Sequence, residues 1–244
     1  MRAIKYVGSK SRIAKQIVPI LQKLIDDNQI TTYYEPFVGG ANVIDKISCS
    51  NRYGFDINPY LIALFQNGEL VRNLSDEISA EEYCCVRLAY QNQTKDYPAW
   101  YIGAIGFLAS YNGKFFGGRA GTVHTKIGTV RNYYEEAKRN FLTQLPLLQN
   151  VMFGVSDYRA VEFQPNSLIY CDIPYYGTTG YQEAFDYTAF WDWAEKMSKN
   201  NIVIVSEQTA PDGWKSIWSK PVKRTLDNNS RSIATENLYQ FIKN

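Results

Sequence analysis

Thr32-Tyr-Tyr-Glu-Pro-Phe-Val-Gly-Gly40 is the stretch around which the fold of this 244-residue chain is organised. Its first six residues predict a β-strand, and the two glycines predict the turn that follows it. A helix over 43–48 and a strand over 52–55 come next, and Asn58-Pro59 is a standard helix start. Strand, glycine turn, helix, strand and helix in this order predict a βαβ unit.

The α/β alternation returns in the last part of the chain. Apolar runs there predict three strands, over 151–155, 167–171 and 202–205. A helix is expected over 188–199, and one or two closing strands over 221–243. The run 202–205 is apolar enough for a central strand of a parallel sheet.

Residues 69–149 interrupt this alternation with helical stretches, an aromatic stretch and a glycine-studded basic segment. We therefore expect an α/β domain formed by 1–68 and 150–244, with an inserted, mainly helical lobe at 69–149. Near the N-terminus, an amphipathic helix with Ser11 as its N-cap is expected to kink or restart at Pro19.

Composition is that of a globular protein, with 45% hydrophobic and 20% charged residues. The formal net charge is only +2, but basic residues without acidic neighbours concentrate in 111–131, and a second basic segment covers 215–231. Such local patches suit phosphate contact, although solvated loops have the same composition. The 15% of aromatic residues suits stacking on bases, or half-buried sheet positions.

Several classes of site are excluded by what the chain lacks. His124 is the only histidine, so neither a histidine-based triad nor a zinc site is expected, and we predict no metal. The four cysteines lack metal-type spacing and are interpreted as reduced thiols in a reducing compartment. Neither a signal peptide nor a membrane-length apolar run is visible, so we expect a cytoplasmic protein, nucleoid-associated in a bacterial or phage-infected cell.

Asp172-Ile173-Pro174-Tyr175 closes the apolar run 167–171. An acid at a strand's carboxyl end, followed by a proline and an aromatic residue, can hold a planar nitrogen base. The carboxylate accepts a hydrogen bond from an exocyclic amine, a backbone carbonyl beside it accepts another, and the tyrosine stacks on the base. The same tetrapeptide is also compatible with an ordinary turn.

Other strand ends carry further candidates. Gly39 and Gly40 allow close approach of a ligand to the backbone but do not match phosphate-cradling fingerprints, which favours a nucleoside without phosphates. Asp56 is placed to accept the hydroxyl hydrogens of a ribose, and Asp157, with Tyr158 beside it, could bind an adenine amino group. Taken separately, each motif is also compatible with ordinary turn chemistry.

Taken in order, these motifs resemble the Dam-class (D12 type) DNA N6-adenine methyltransferases, which use S-adenosylmethionine. The resemblance spans residues 3–175 and rests on the following segments: 3–10, 35–40, Asp56-Ile-Asn58, the spacer lobe, 156–158 and 172–175. It implies a Rossmann-like methyltransferase sheet with an inserted target-recognition lobe.

The resemblance also implies roles for individual residues. The cofactor would be held by the following residues, of which the first two could contact the target base instead: Tyr6, Lys10, Glu35, Phe37, Gly39, Gly40, Asp56, Asp157 and Tyr158. Asp172 and the Ile173 carbonyl before Pro174 would bind the target amine, with Tyr175 stacking. The family usually has proline where Ile173 stands, which removes one φ restraint but keeps the carbonyl. Candidate DNA contacts are Tyr111, Asn112, Lys114, Arg119, Lys126 and Arg131.

The implied activity is that of a site-specific adenine DNA methyltransferase acting on a flipped-out adenine in duplex DNA, with S-adenosylhomocysteine as product and no metal. A palindrome such as GATC is common in the family, but the sequence does not decode the site, the restriction-modification or phage role, or the choice between monomer and weak dimer. Three alternatives remain: methylation of cytosine N4, RNA adenine or protein glutamine; a silent DNA-binding relative; and a nucleoside-binding domain without a nucleic-acid role.

Overall fold

The computed structural model describes residues 4–124, 128–174, 185–223 and 233–242. Within them, a seven-stranded sheet has the order β5-β2-β1-β6-β7-β9-β8, and β3 and β4 form a separate hairpin. The strands are β1 Thr32–Glu35, β2 Asn51–Asp56, β3 Thr122–His124, β4 Val130–Asn132, β5 Val151–Val155, β6 Leu168–Asp172, β7 Ile202–Glu207, β8 Trp214–Lys223 and β9 Ile233–Phe241.

The pairing of the strands defines the architecture. From β5 to β7 all neighbours are parallel, whereas β9 is antiparallel to both β7 and β8. Counted in chain order within this sheet, the strands run 3-2-1-4-5-7-6, a doubly wound order in which an antiparallel hairpin forms one edge. The predicted α/β, Rossmann-like sheet is confirmed. In such sheets ligands bind at the carboxyl ends of the parallel strands.

Helices cover both faces of the sheet. Their bounds are α1 Ala14–Asp27, α2 Pro59–Gln66, α3 Ala80–Gln91, α4 Ala99–Leu108, α5 Tyr133–Gln144 and α6 Tyr187–Met197. Successive strand residues point to opposite faces, so that Tyr33 packs in a cluster with α1, α2, α4 and α5, while Tyr34 packs in a second cluster with α6.

Of the predicted helix starts and breaks, one is confirmed and others were wrong. The start of α2 is confirmed, because the Asn58 side chain accepts hydrogen bonds from the backbone nitrogens of Tyr60 and Leu61. Ser11 as N-cap was wrong: Ser9 caps a single 3₁₀ turn there, and α1 begins only at Ala14. Of the kink or restart expected at Pro19, the restart was wrong, because α1 continues through this residue.

The segment predicted as an inserted lobe packs closely on the sheet. Its helix α4 is apolar on all sides, and a Cβ added to Gly103 would lie 2.1 Å from the carbonyl oxygen of Tyr60 in α2. Residues of α4 and α5 share one hydrophobic cluster with α1 and α2. Residues 69–149 therefore share their hydrophobic core with the sheet domain. Their role as a target-recognition lobe stays a prediction.

No helix of the described residues is both long enough and apolar enough to cross a membrane. Cys49, Cys84, Cys85 and Cys171 are all free thiols.

Candidate active site

Acidic residues end the parallel strands along one edge of the sheet. Glu35 ends β1, Asp56 ends β2, Asp172 ends β6 and Glu207 ends β7. Asp157 follows the end of β5 by two residues. Because parallel strands present their carboxyl ends at the same edge, five separate segments of sequence contribute acids to one region.

Asp172 is held by a lysine from the N-terminal segment. The Lys10 ammonium lies 2.5 Å from Oδ1 of Asp172 and 3.4 Å from Oε1 of Glu236 on β9. Lys10 is buried, with 3% of its side chain exposed, whereas 23% of the Asp172 side chain is exposed. One buried cation therefore lies between two carboxylates, and one of these remains accessible at the strand end.

Burial and charge act in opposite directions on Asp172. Burial raises the pKa of its carboxyl group, the Lys10 ammonium lowers it, and the net result is a pKa of about 6. The pKa of Lys10 is raised, since the neighbouring carboxylates outweigh the effect of its burial. At neutral pH both groups are ionised, and Asp172 is an acceptor-only carboxylate.

The residues after Asp172 are anchored from α6. Ile173 is buried, and the hydroxyl of Tyr187 donates a 2.7 Å hydrogen bond to the carbonyl of Pro174. This bond restrains the carbonyl of Pro174 at the end of the tetrapeptide's described part. Tyr175, the predicted stacking residue, lies outside the described residues.

Asp56 links the end of β2 to the glycine turn. Its Oδ2 accepts a hydrogen bond from the Gly39 nitrogen at 3.2 Å, and its Oδ1 accepts one from the Asn58 nitrogen at 2.9 Å. Burial raises the pKa of this carboxyl group to about 6, while the backbone donors oppose the rise. The carboxylate is thus held rigidly beside the turn at the position predicted for ribose binding.

The glycine turn is covered by Tyr6. A Cβ added to Gly39 would lie 2.9 Å from Cε1 of Tyr6, and one added to Gly40 would lie 2.9 Å from Cβ of Tyr6. Gly39 also adopts a φ of +46°, which L side chains rarely occupy. The close approach that the two glycines permit is therefore made by the Tyr6 side chain, whose ring also stacks on Phe107.

Glu35 and Phe37 both precede this glycine turn, at the end of β1 and two residues after it. The Tyr33 hydroxyl donates a 2.7 Å hydrogen bond to Glu35, whose pKa is raised well above its ordinary value by burial. Phe37 packs with Tyr158 and Phe190 in an aromatic cluster.

Asp157 is engaged by its neighbour Arg159. The guanidinium donates to both carboxylate oxygens, at 2.8 and 2.9 Å, and lowers the pKa of Asp157. Tyr158 is buried, with its ring centroid 4.9 Å from that of Trp193. Asp157 therefore lies at the edge of the site with a partner of its own, while Tyr158 belongs to the core beneath it.

Sequence comparison identifies the family of the chain. A family model for the D12 class N6 adenine-specific DNA methyltransferases matches residues 6–207. The chain belongs to this family. The resemblance of the sequence motifs is thereby confirmed.

Three curated relatives are methyltransferases of restriction-modification type. M.FokI of Planomicrobium okeanokoites is 27% identical over 196 residues, covering 72% of this chain and 29% of the relative. The StsI modification methylase of Streptococcus sanguinis is 24% identical, with the same coverages. M.MjaIII of Methanocaldococcus jannaschii is 24% identical, covering 70% of this chain and 68% of the relative. This D12-class chain thus spans under a third of the length of the first two.

Solved structures give weaker likenesses. The rRNA methyltransferase AviRa of Streptomyces viridochromogenes is 10% identical with a TM-score of 0.43, over 94% of this chain and 84% of that one. SMU.472, a putative methyltransferase complexed with SAH, is 15% identical with a TM-score of 0.26, over 43% and 28%. The strand order of the D12-class chain itself therefore defines its fold.

The predicted DNA contacts of this D12-class chain lie partly together. Tyr111, Asn112 and Arg131 line a cavity of about 210 Å³ that Lys5 and Tyr133 also line. The Arg131 guanidinium lies 4.8 Å from the centre of the Tyr133 ring and is also hydrogen-bonded to Glu136, at 2.8 and 2.9 Å.

Lys114 and Arg119 are exposed and are not among the residues lining that cavity. Arg119 donates a 2.9 Å hydrogen bond to the carbonyl of Ile78. Lys126 lies outside the described residues.

Sequence reasoning missed three residues that contact the candidate site residues of this D12-class chain. Gln144, at the end of α5, accepts from the Ile4 nitrogen and donates to the Gly40 and Ala41 carbonyls at 3.0–3.1 Å. Glu236 and Tyr187 contact Lys10 and Pro174, respectively. None belongs to a recognisable motif, since each is placed by a contact between distant segments. Among the described residues, no group of three or more His, Cys, Asp or Glu could hold a metal ion.

Proposed function

We propose that this chain transfers the methyl group of S-adenosylmethionine to the N6 amino group of an adenine in a short, specific sequence of duplex DNA. Membership of the D12 family supports adenine in DNA as the acceptor. The proposed role of the site in binding the target amine rests on Asp172. This residue is an ionised carboxylate at the end of a central strand, next in sequence to Ile173 and paired with Lys10.

The target amine would be bound by two acceptors. Its nitrogen is a weak nucleophile because the lone pair is delocalised into the ring, and it acquires positive charge as the methyl group arrives. Asp172 and the Ile173 carbonyl would accept hydrogen bonds from its two N–H groups and stabilise that charge. As the bond from nitrogen to the methyl group forms, the bond from the methyl group to sulfur breaks, and the methylated amine then loses one proton to solvent. Because Lys10 contacts Oδ1, Oδ2 is the oxygen we expect to face the amine. The adenine must leave the duplex to reach this position.

The residues at the ends of β1 and β2 fit an S-adenosyl cofactor. The chemistry it supplies is a methyl group already activated on a sulfonium. Asp56 is a rigid, buried acceptor suited to two ribose hydroxyls, provided that they share it with the Gly39 and Asn58 nitrogens. Asp157 suits the adenine amine if it shares its oxygens with Arg159. Tyr6, Lys10, Glu35, Phe37 and Gly40 would surround the remainder, with Tyr158 supporting it from below.

Sequence recognition would fall to the segment 111–131. Asn112 can read base edges and Lys114 can contact phosphate, while Arg119 can do either. Tyr111, Lys126 and Arg131 complete the proposed surface. A palindrome such as GATC is the first sequence to test.

The deciding experiment is transfer of a tritiated methyl group from S-adenosylmethionine to unmethylated duplex DNA, followed by digestion to nucleosides. We expect label in N6-methyladenine, reduced at least about a hundredfold in Asp172→Ala. Asp192→Ala is the matched control, because Asp192 is an exposed residue of α6. Label in N4-methylcytosine would contradict the acceptor. No label, with DNA binding intact, would identify a silent relative.

A further inference from the structure

We propose that Glu236 is a positioning residue for methyl transfer, which keeps Lys10 from neutralising Asp172. This role rests on the function proposed above for Asp172. Glu236 lies on β9, beyond the residues 6–207 that match the family model. It reaches the site only because the chain returns antiparallel to β7 after β8.

The geometry places Glu236 firmly. Its side chain is 4% exposed, its Oε1 lies 3.4 Å from the Lys10 ammonium, and the Ser206 hydroxyl donates to the same oxygen at 2.7 Å. Ser206 is itself fully buried in β7. A buried carboxylate is stable only when it is paired and hydrogen-bonded, and Glu236 meets both conditions through Lys10 and Ser206.

The charges explain why a second carboxylate is useful. Lys10 with Asp172 alone would be a neutral pair, and a positive charge growing on the substrate amine would meet little net attraction. With Glu236 the three groups carry one net negative charge. Lys10 is then shared between two carboxylates, and Asp172 keeps more of its ability to attract a cation.

Three further ionisable groups lie near Lys10, Asp172 and Glu236. The Tyr170 hydroxyl interacts electrostatically with Lys10 and Asp172. The Glu35 carboxyl group interacts with Asp172, and the Glu207 carboxyl group interacts with Lys10, Asp172 and Glu236. Burial raises the pKa of Glu35 well above its ordinary value and that of Glu207 to about 7. Glu236 is the second acid within 4 Å of Lys10 among the described ion pairs.

A direct test measures the pKa of the Asp172 carboxyl group. The titration is monitored by ¹³C NMR in protein labelled at aspartate, and the Asp172→Asn variant assigns the signal. In Glu236→Gln the negative charge beside Lys10 is removed, while the contact between Lys10 and Asp172 is kept. We therefore expect the pKa of Asp172 to fall by about one unit. Glu236→Asp, which keeps the charge, should retain most of the wild-type value.

Kinetics provide the second readout. A carboxylate that binds a proton tenfold less tightly also stabilises a cationic amine less, so kcat at pH 8 should fall by up to about tenfold in Glu236→Gln. The acid limb of the kcat profile should move to lower pH, and KM for S-adenosylmethionine should stay within about twofold. Glu195→Gln, on the exposed face of α6, is the matched control.

The results distinguish a failure of the role of Glu236 from a failure of the proposed methyl transfer. An unchanged or raised pKa of Asp172 in Glu236→Gln would overturn the role of Glu236, whether or not the enzyme is active. A lower plateau of kcat without movement of the acid limb would reduce Glu236 to a structural residue. If wild-type protein showed no methyl transfer while the pKa of Asp172 fell as expected, the electrostatic role would stand and the proposed function would fail.

Discussion

The ammonium of Lys10 lies 2.5 Å from Oδ1 of Asp172, although 162 positions of sequence separate the two residues. Lys10 begins a 3₁₀ turn capped by Ser9, and Asp172 is the last residue of β6. The ionisation of the acid at the centre of the sheet therefore depends on how the N-terminal segment docks. The pair is a direct link between two motifs that are far apart in sequence.

Lys10→Met should shift the pH dependence of methyl transfer to higher pH. The ammonium lowers the pKa of Asp172, so its removal raises that pKa above the wild-type value of about 6. A larger fraction of Asp172 is then protonated at pH 7 and unable to accept the amine hydrogen bond. The measurement is kcat between pH 5 and pH 9, in which the acid limb should move upward.

Lys15→Met is the control for this variant, because Lys15 is an exposed residue of α1. Its acid limb should coincide with that of the wild type. An unmoved limb in Lys10→Met would mean that Asp172 does not govern the profile. Glu236→Gln is expected to move the limb in the opposite direction, so that the two variants together test the sign of the electrostatic effect.

Gly39→Ala should destabilise the fold mainly through its contact with Tyr6. The new methyl group would lie 2.9 Å from Cε1 of Tyr6, at a φ of +46°. We expect a loss of about 2–4 kcal/mol in the free energy of unfolding, the sum of overpacking and backbone strain. Urea denaturation of the wild type and the variant measures it.

The contact and the strain can be separated with a double-mutant cycle. In a Tyr6→Ala background the same substitution should cost only about 1 kcal/mol, which is the backbone contribution alone. Gly8→Ala is the matched control for strain, because Gly8 has a φ of +81° and no atom within 4 Å of the added Cβ. Equal losses in both Tyr6 backgrounds would show that the ring does not pack on the turn.

Local pattern was sufficient for the parallel strands of the sheet, but it placed the closing strands over 221–243, whereas β8 begins at Trp214. Strand-forming runs predicted β1 and β2, and an apolar run predicted β6 with the acid Asp172 at its end. Asn58-Pro59 predicted the start of α2 because capping depends only on adjacent residues. The family resemblance added the roles of these residues, which pattern alone does not supply.

Contacts between distant segments were beyond the sequence. Glu236 reaches Lys10 only through the antiparallel pairing of β9 with β7, and Gln144 reaches the glycine turn only through the packing of α5. The error at Ser11 is local, because Ser9 caps a 3₁₀ turn ahead of α1. At Pro19, propensity argued for a restart of the helix, and tertiary packing of the buried face of α1 overrode it.

Arg119→Ala should weaken DNA binding while leaving cofactor binding intact. Arg119 is exposed within the predicted recognition segment, and its hydrogen bond to Ile78 holds the side chain at the surface. If the guanidinium contacts a phosphate, the salt dependence of log K should lose about one unit of slope. Equilibrium binding to duplex DNA, measured between about 50 and 200 mM salt, gives this slope for the wild type and the variant.

Arg119→Lys distinguishes phosphate contact from base reading. Lysine keeps the charge but not the planar fork, so a phosphate contact would survive and a bidentate contact to guanine would be lost. Retained affinity with relaxed sequence preference would identify a base contact. An equal loss of S-adenosylmethionine affinity in Arg119→Ala would mean that the segment had been assigned to the wrong ligand.

Gln144→Leu should destabilise the protein and weaken cofactor binding together. The buried amide bonds the Ile4 nitrogen and the Gly40 and Ala41 carbonyls, and its nitrogen lies 3.2 Å from Oδ2 of Asp45. Leucine fills a similar volume but leaves these buried groups without partners, which costs about 2–4 kcal/mol in the free energy of unfolding. Because the two carbonyls belong to the glycine turn, calorimetry should also show a weaker affinity for S-adenosylmethionine. Gln149→Leu, at an exposed position, should stay within about 0.5 kcal/mol of the wild type. A loss of stability without a change in affinity would separate α5 from the cofactor turn.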